Sequence, residues 1–237
     1  MIQTEGIFVG GSAISAPIIG EDFNWTGGDG TYQVLDDGGS NWRIKFLSSG
    51  TFTPLKNMVI DAFLVGGGGG SGSSYCGAGG AGYTTTVRSV VLTANTAYSI
   101  VVGAAGTNGN PSSAGGETTA FTASAAGGKN TSNGTSSSKR PGGAGGSGGA
   151  GYVSPVATTT GGTDGGDGTS SATTGGKGQG TTTREFGEAD GTLYASGGGS
   201  NLTATVSNSG NGGRNGITSI EPADGIVVIR QHKEVAA

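Results

Sequence analysis

The most informative stretch of this chain is Gly142-Gly143-Ala144-Gly145-Gly146-Ser147-Gly148-Gly149-Ala150-Gly151. It repeats every three residues, with two glycines and one small residue in each step. A period of three fits neither an α-helix nor a β-strand, and it is the period of the polyproline II helix. Helices of that kind can bond to one another where their contact faces lack a Cβ. The run therefore predicts either a flexible linker or a laterally bonded glycine lattice.

Glycine accounts for 54 of the 237 residues, and it is concentrated in blocks. The blocks are Gly66–Gly82, Gly103–Gly116, Gly127–Gly151, Gly161–Gly180 and Gly197–Gly216. Strong strand patterns alternate with them, so both ends of each block are held. Between the glycines stand mostly Ala, Ser and Thr, not the Glu and Lys that are typical of disordered spacers. We therefore expect an ordered lattice, and the flexible linker stays as the alternative.

Two strongly apolar segments lie about 160 residues apart, Met58–Val65 and Gly225–Arg230. Both are apolar on both faces, which is typical of central strands, and we expect one sheet to contain both. Val87–Leu92 and Tyr98–Val102 are predicted to form a hairpin, and Glu117–Phe121 a short strand. Leu193–Ala195 and Leu202–Val206 are weaker strand candidates. No segment has a helical period.

The first 47 residues differ from the rest because they contain both tryptophans. Thr31–Leu35 and Trp42–Phe46 flank the turn sequence Asp36-Asp37-Gly38-Gly39 and are predicted to form a hairpin. We predict a small N-terminal β attachment module over residues 1–47, followed by a glycine-rich domain over residues 48–237.

An ordered set of motifs resembles the glycine-rich domain of bacteriophage and prophage tail proteins, especially those of Gram-positive gut bacteria. The set comprises Phe52-Thr53-Pro54, the strand Met58–Val65, Gly79-Gly80-Ala81-Gly82-Tyr83, the segment Val90–Gly103, Gly115–Phe121, Thr181–Gly187 and Gly225–Arg230. The resemblance covers roughly residues 42–237. Some tail-tip adhesins of phages are similar in using bundled polyglycine II helices to present loops to the host.

This resemblance implies an all-β fold, a jelly-roll-like β-sandwich with packed polyglycine II helices inserted between strands. It also implies a tail-fibre or tail-tip protein of the virion that binds a glycan or protein on the host cell surface. A purely structural tail spacer without a receptor is the alternative. Other tail proteins are the expected partners of the N-terminal module. A homotrimer and a monomer are both compatible with such a role.

Four residues inside the glycine blocks are candidates for ligand contacts: Tyr75, Arg140, Tyr152 and Asp164. Rigid aromatic side chains in loops suit recognition, and tyrosine rings offer stacking faces to sugars. The alternative for the two tyrosines is a structural role in which they plug the ends of the glycine bundle, and the sequence favours neither role. Asp164 and Asp167 lack the spacing of a calcium loop, so we expect a solvated turn and no metal site.

The sequence gives little ground for catalysis. The only histidine, His232, lies near the C-terminus, and no zinc or nucleotide motif is present. Glu185 and Glu188 are interpreted as members of structural ion pairs. We expect no enzymatic activity and no cofactor.

Charge and hydropathy limit the partners and the location. A net charge of −4 without a basic stripe argues against nucleic acid. No apolar run is long enough for a membrane span, and no signal peptide pattern opens the chain. We therefore expect synthesis in a bacterial cytoplasm and no contact with a membrane.

Overall fold

A computed structural model describes residues 22–38, 41–73, 75–134, 140–152, 160–169, 175–214 and 219–232. This part of the chain is all-β, with two antiparallel sheets of five strands each. Helix is limited there to one 3₁₀ turn at Glu185–Gly187. In the same residues, no helix is long and apolar enough to cross a bilayer.

The strands fall into two sheets whose order along the sheet differs from their order in the chain. The first sheet has the order β1 (Phe23–Trp25), β4 (Gly50–Pro54), β7 (Tyr98–Val101), β8 (Thr118–Ala120) and β9 (Ala123–Ala125). The second has the order β2 (Tyr32–Gly38), β3 (Asn41–Phe46), β10 (Ile226–Gln231), β5 (Met58–Val65) and β6 (Thr84–Leu92).

The pairing of the two strongest strands is confirmed. β5 and β10 lie side by side and antiparallel, with Val65 opposite Ile226. The predicted hairpin between 31 and 46 is also confirmed, as β2 and β3. The short strand predicted at Glu117–Phe121 is β8.

The predicted hairpin of Val87–Leu92 with Tyr98–Val102 is wrong. β6 pairs with β5 in the second sheet, whereas β7 pairs with β4 and β8 in the first. The loop between them crosses from one sheet to the other. The weak candidates Leu193–Ala195 and Leu202–Val206 are not strands, apart from one isolated bridge between Leu193 and Arg184.

A shared apolar core joins the inner faces of the two sheets. Phe52 from β4 is fully buried and packs against Phe46 from β3, with ring centroids 5.5 Å apart. A second, smaller core lies on the other face of the second sheet, where Phe63 packs against Phe186 and Tyr194. β5 and β10 are thus buried on both faces over most of their length, which explains their largely apolar sequences.

The described part of the N-terminal segment contributes strands to both sheets. β1 pairs with β4, and β3 pairs with β10. Residues 22–46 are therefore hydrogen-bonded into the same two sheets as the glycine-rich region. Residues 1–21 lie outside the described residues.

The glycine blocks leave and re-enter the two sheets at one end. Val65 and Thr84 are cross-strand partners, as are Val65 and Ile226, and Thr118 and Ala125 in the other sheet. The hydroxyl of Thr118 donates to Val65 O at 2.6 Å, which ties the corresponding ends of the sheets together. The three glycine-rich excursions, between β5 and β6, between β7 and β8 and between β9 and β10, therefore start from the same end of the two sheets.

Segment 66–71 shows how the glycine region is bonded. Gly66 N and Gly69 N donate to Tyr83 O and Gly80 O, at 3.0 and 2.8 Å. The next pair in register, Gly67 N and Gly70 N, donates to Gly116 O and Ser113 O. Residues three apart thus bond to the same neighbouring segment.

Segment 66–71 is enclosed by other backbone segments. Its N–H groups donate to segments 80–83 and 113–116 and to Ala223, and its carbonyls accept from segments 106–109 and 128–131 and from Gly213. The described residues thus surround it on six sides with backbone. Segment 77–83 is bonded in the same manner to segments 126–129, 143–146, 147–150 and 210–213, among others.

At their glycines, the spacing of these segments leaves no room for a side chain. A Cβ placed on Gly66, Gly68 or Gly80 would lie within 3.0 Å of a backbone carbonyl oxygen, namely that of Ala126, Asn211 or Ala144. Such oxygens belong to neighbouring segments that are themselves hydrogen-bonded and cannot shift independently. The glycines are therefore required by close approach, not by flexibility.

We expect Gly68→Ala to lower the free energy of unfolding by about 3 kcal/mol or more, because its Cβ would press on Asn211 O inside the lattice. Gly166→Ala is the matched control, since its Cβ would meet only Thr163 O at 3.1 Å. Urea unfolding of both variants measures the difference. Equal loss of stability in the two variants would contradict a close-packed lattice.

Candidate functional site

Three of the candidate residues lie together at the end of the glycine region that is remote from the sheets. Segment 66–71 runs away from β5 and segment 77–83 runs back to β6, so Tyr75 occupies the turn between them. Segment 147–150 runs antiparallel to 77–83, with Ala78 N donating to Ala150 O at 2.8 Å, and this brings Tyr152 to the same end. We call Tyr75, Arg140 and Tyr152 the tip cluster.

The two tyrosines of the tip cluster are in contact. Their ring centroids are 5.8 Å apart and the rings are nearly perpendicular. Tyr75 is 43% exposed and has a positive φ of 48°, a conformation that non-glycine residues seldom adopt. The edge-to-face contact orients the exposed Tyr75 ring.

Arg140 is joined to Tyr152 through the backbone. Tyr152 N donates to Arg140 O at 2.9 Å, and the two residues form an isolated antiparallel bridge. The Arg140 side chain is half-buried, and its Nε has no hydrogen-bond partner among the described residues. The tip cluster therefore combines an oriented aromatic ring with a guanidinium group.

Asp164 is not part of the tip cluster. Gly165 N donates to the hydroxyl of Ser147, whose carbonyl accepts from Ala81, and this places Asp164 at the end of the lattice near the sheets. Its carboxylate accepts from the Thr182 hydroxyl and pairs with Arg184 at 3.4 Å. The hydrogen bond from Thr182 is the main reason why the pKa of Asp164 is lowered. The Asp164 carboxylate is therefore bonded to side chains of the protein that lie outside the tip cluster.

A network of charged side chains lies on the outer face of the second sheet, and the sequence analysis did not predict it. Asp61 on β5 is fully buried, and Arg230, its cross-strand partner on β10, is only 4% exposed. Arg230 donates to Asp61 Oδ2 at 3.2 Å and to Glu188 at 2.7 Å, while its guanidinium stacks 4.1 Å from the centre of the Phe186 ring. The one sequence signal was an aspartate inside an otherwise apolar strand.

The network extends to a cleft of about 240 Å³. Its lining includes Glu185 and Glu188, which are bonded to Arg43 at 2.6 Å and to Arg230. The two glutamates thus belong to ion pairs, as the sequence predicted, although neighbouring Arg184 pairs with Asp164 instead. The described residues contain no group of three or more His, Cys, Asp or Glu side chains that could hold a metal.

Asp61 connects this network to the pH dependence of stability. Burial raises the pKa of its carboxyl group, but hydrogen bonds from His232, Ser89 N and Arg230 outweigh burial and lower it overall. An aspartate with a lowered native pKa binds fewer protons in the native than in the unfolded state. Its stabilising contribution is therefore complete above the unfolded-state pKa of about 3.9 and is lost as the pH falls through the native value.

We expect Asp61→Asn to reduce the free energy of unfolding at pH 7 by about 3 kcal/mol, because Arg230 then stays buried without this counter-charge. The variant should also lose part of the decline in stability below about pH 4. Urea unfolding at pH 7, 5 and 3 measures both effects. Asp167→Asn, in an exposed pair with Lys177, is the control and should unfold like the parent at pH 7. An unchanged pH profile in Asp61→Asn would contradict this assignment.

The comparisons with known proteins concern the glycine-rich part of the chain. A search of curated proteins finds no match to the sequence. A family model described as a glycine-rich domain matches residues 47–230, well over half of the chain. The match begins within the described sheets, just after β3, and ends in β10. On this match, the chain belongs to the glycine-rich domain family.

Proposed function

We propose that this protein is a phage or prophage tail-tip or tail-fibre protein whose tip cluster binds the surface of a host bacterium. The observation that carries the proposal is the position of Tyr75, Arg140 and Tyr152 at the far end of a bonded glycine region. A lattice of this kind holds a small group of side chains away from the body of the protein. The role in a virion tail rests on the sequence resemblance to phage tail proteins.

We further propose that the glycine segments are polyglycine II helices. The three-residue period of the hydrogen-bond partners in segment 66–71 supports this assignment, since a polyproline II helix has three residues per turn. At about 3.1 Å per residue, six residues would place the tip about 19 Å from the sheets. A jelly-roll-like sandwich remains part of the proposal, supported by the repeated crossing of the chain between the sheets.

The chemistry of the tip cluster favours a glycan as the ligand. An exposed tyrosine ring offers an apolar face to the C–H groups of a sugar, and the contact with Tyr152 limits the entropy lost on binding. The Arg140 guanidinium can donate to sugar hydroxyls or to acidic substituents. Among the described residues, Arg140 forms no ion pair that would compete with such a ligand.

The remaining expectations about partners are proposals as well. Other tail proteins would dock on the N-terminal segment, and assembly as a homotrimer or a monomer is to be decided by measuring the mass in solution. A structural spacer without a receptor is the competing function. It differs in predicting that the tip cluster can be altered without effect on attachment to cells.

We expect Tyr75→Ala to weaken binding to host cells at least tenfold, the loss typical of a central aromatic anchor. The measurement is binding of fluorescently labelled protein to a panel of Gram-positive gut bacteria, with and without removal of surface glycans. Leu193→Ala is the control, because Leu193 is exposed to a similar degree but lies outside the tip cluster. If no strain binds the parent protein, or if Tyr75→Ala binds as the parent does, the spacer function is favoured.

We expect Arg140→Met to weaken the same binding and to make the remaining binding less sensitive to salt, because the guanidinium carries the charge of the tip cluster. The methionine keeps an unbranched side chain, so the fold should be preserved. Binding measured at low and at physiological ionic strength separates the two effects. A salt dependence that equals that of the parent would show that Arg140 does not contact the ligand.

A further inference from the structure

Ser89, His232 and Asp61 form a chain of hydrogen bonds on the second sheet, outside the tip cluster. Ser89 Oγ lies 3.1 Å from His232 Nε2, and His232 Nδ1 lies 2.6 Å from Asp61 Oδ1. Asp61 is buried, His232 is half-buried and Ser89 is exposed. A hydroxyl, an imidazole and a buried carboxylate thus follow one another from the surface inward.

A β-bulge puts Ser89 in this position. Ile60 pairs with Val90 and Ala62 with Val87, so Arg88 and Ser89 both stand opposite Asp61. Ser89 has a positive φ of 57°, which costs free energy in a non-glycine residue. Bulges and strained backbone of this kind are common beside active sites, because they re-aim a side chain.

The other two residues are held by the sheet. Asp61 lies on the interior strand β5, where Oδ1 also accepts from Ser89 N and Oδ2 accepts from Arg88 and Arg230. His232 follows β10, and its backbone N–H donates to Val59 O at 2.9 Å. His232 is therefore fixed through both its backbone and its imidazole ring.

The partners of these hydrogen bonds indicate which ring nitrogen faces which group. An ionised Asp61 can only accept, so His232 Nδ1 donates to it, and in the neutral imidazole the lone pair is then on Nε2. That lone pair faces the Ser89 hydroxyl, which then donates to it. This is the arrangement in which an imidazole removes the proton of a nucleophilic serine.

We propose that Ser89 is a nucleophile that takes an acyl group from exposed carboxylic esters, with His232 as its general base and Asp61 as the positioning residue. Ser89 Oγ bonds to the ester carbonyl carbon while its proton passes to His232 Nε2. The bond from that carbon to the alkoxy oxygen then breaks, and the alcohol leaves with the proton from Nε2. Water subsequently cleaves the acyl-serine to the carboxylic acid and regenerates the hydroxyl.

The environment of Ser89 sets the expected rate. Its own N–H donates to Asp61 and is not available to a developing oxyanion, whereas the neighbouring Arg88 guanidinium is partly exposed. Loss of one oxyanion donor typically slows acyl transfer by about 10²–10³. The expected property is therefore slow turnover of esters.

The test is covalent labelling of the full chain by a fluorophosphonate probe, followed by intact mass and peptide mapping. Ser89 Oγ would bond to phosphorus, the P–F bond would break, fluoride would leave and His232 would take the proton. We expect one adduct on Ser89 and none on Ser89→Ala. Ser99→Ala, which removes another exposed strand serine, is the matched control and should label like the parent.

His232→Ala separates a catalytic role from a structural one. Without the general base, we expect labelling to slow by at least about 100-fold, and added imidazole should restore part of the rate. Circular dichroism checks that each variant is folded. Labelling of the parent no faster than that of folded Ser89→Ala, or an unchanged rate in folded His232→Ala, would overturn the proposal.

Discussion

Close approach between backbone segments governs the architecture of the glycine region and of the sheets that hold it. Segment 66–71 touches backbone on six sides, and a Cβ on Gly68 would collide with Asn211 O. Ordering each residue costs about 1–2 kcal/mol, whereas a hydrogen bond contributes only about 0.5–1.5 kcal/mol net. The sheets help to offset this difference because they hold both ends of each excursion, so the glycine region and the sandwich are energetically dependent on each other.

A lattice built from backbone has almost no side chains with which to recognise or transform anything. Within the glycine region, the tip cluster and Asp164 lie at opposite ends. At the remote end lie the tip cluster residues, whose rings and guanidinium have room because the glycine segments stop there. At the near end the polar side chains bond to one another, as Asp164 does with Thr182 and Arg184.

The sequence predicted most of the features that a local pattern encodes. β5 and β10 were recognisable because burial on both faces leaves a largely apolar run, and the glycine blocks were recognisable by composition. The pairing of β6 with β5 was not recognisable, since an apolar strand followed by a short loop fits equally well a hairpin and a connection to the other sheet. The position of Asp164 and the Ser89–His232–Asp61 chain depend on contacts between distant segments, on a bulge and on the direction of each excursion.

Strand register gives a physical reason for the buried pair of Asp61 and Arg230. A buried ion pair contributes little net stability compared with an apolar pair, but these residues stand directly opposite each other on β5 and β10. A slip of one residue would separate the charges and turn every side chain of β10 to the other face. β5 continues directly into segment 66–71, and Gly225 directly precedes β10. The same slip would therefore displace the backbone around Gly66 and Gly68. A neighbouring residue with a side chain would then occupy a position where a Cβ meets a carbonyl oxygen. The charge pair in the sheet thus helps to fix the register from which the glycine segments leave.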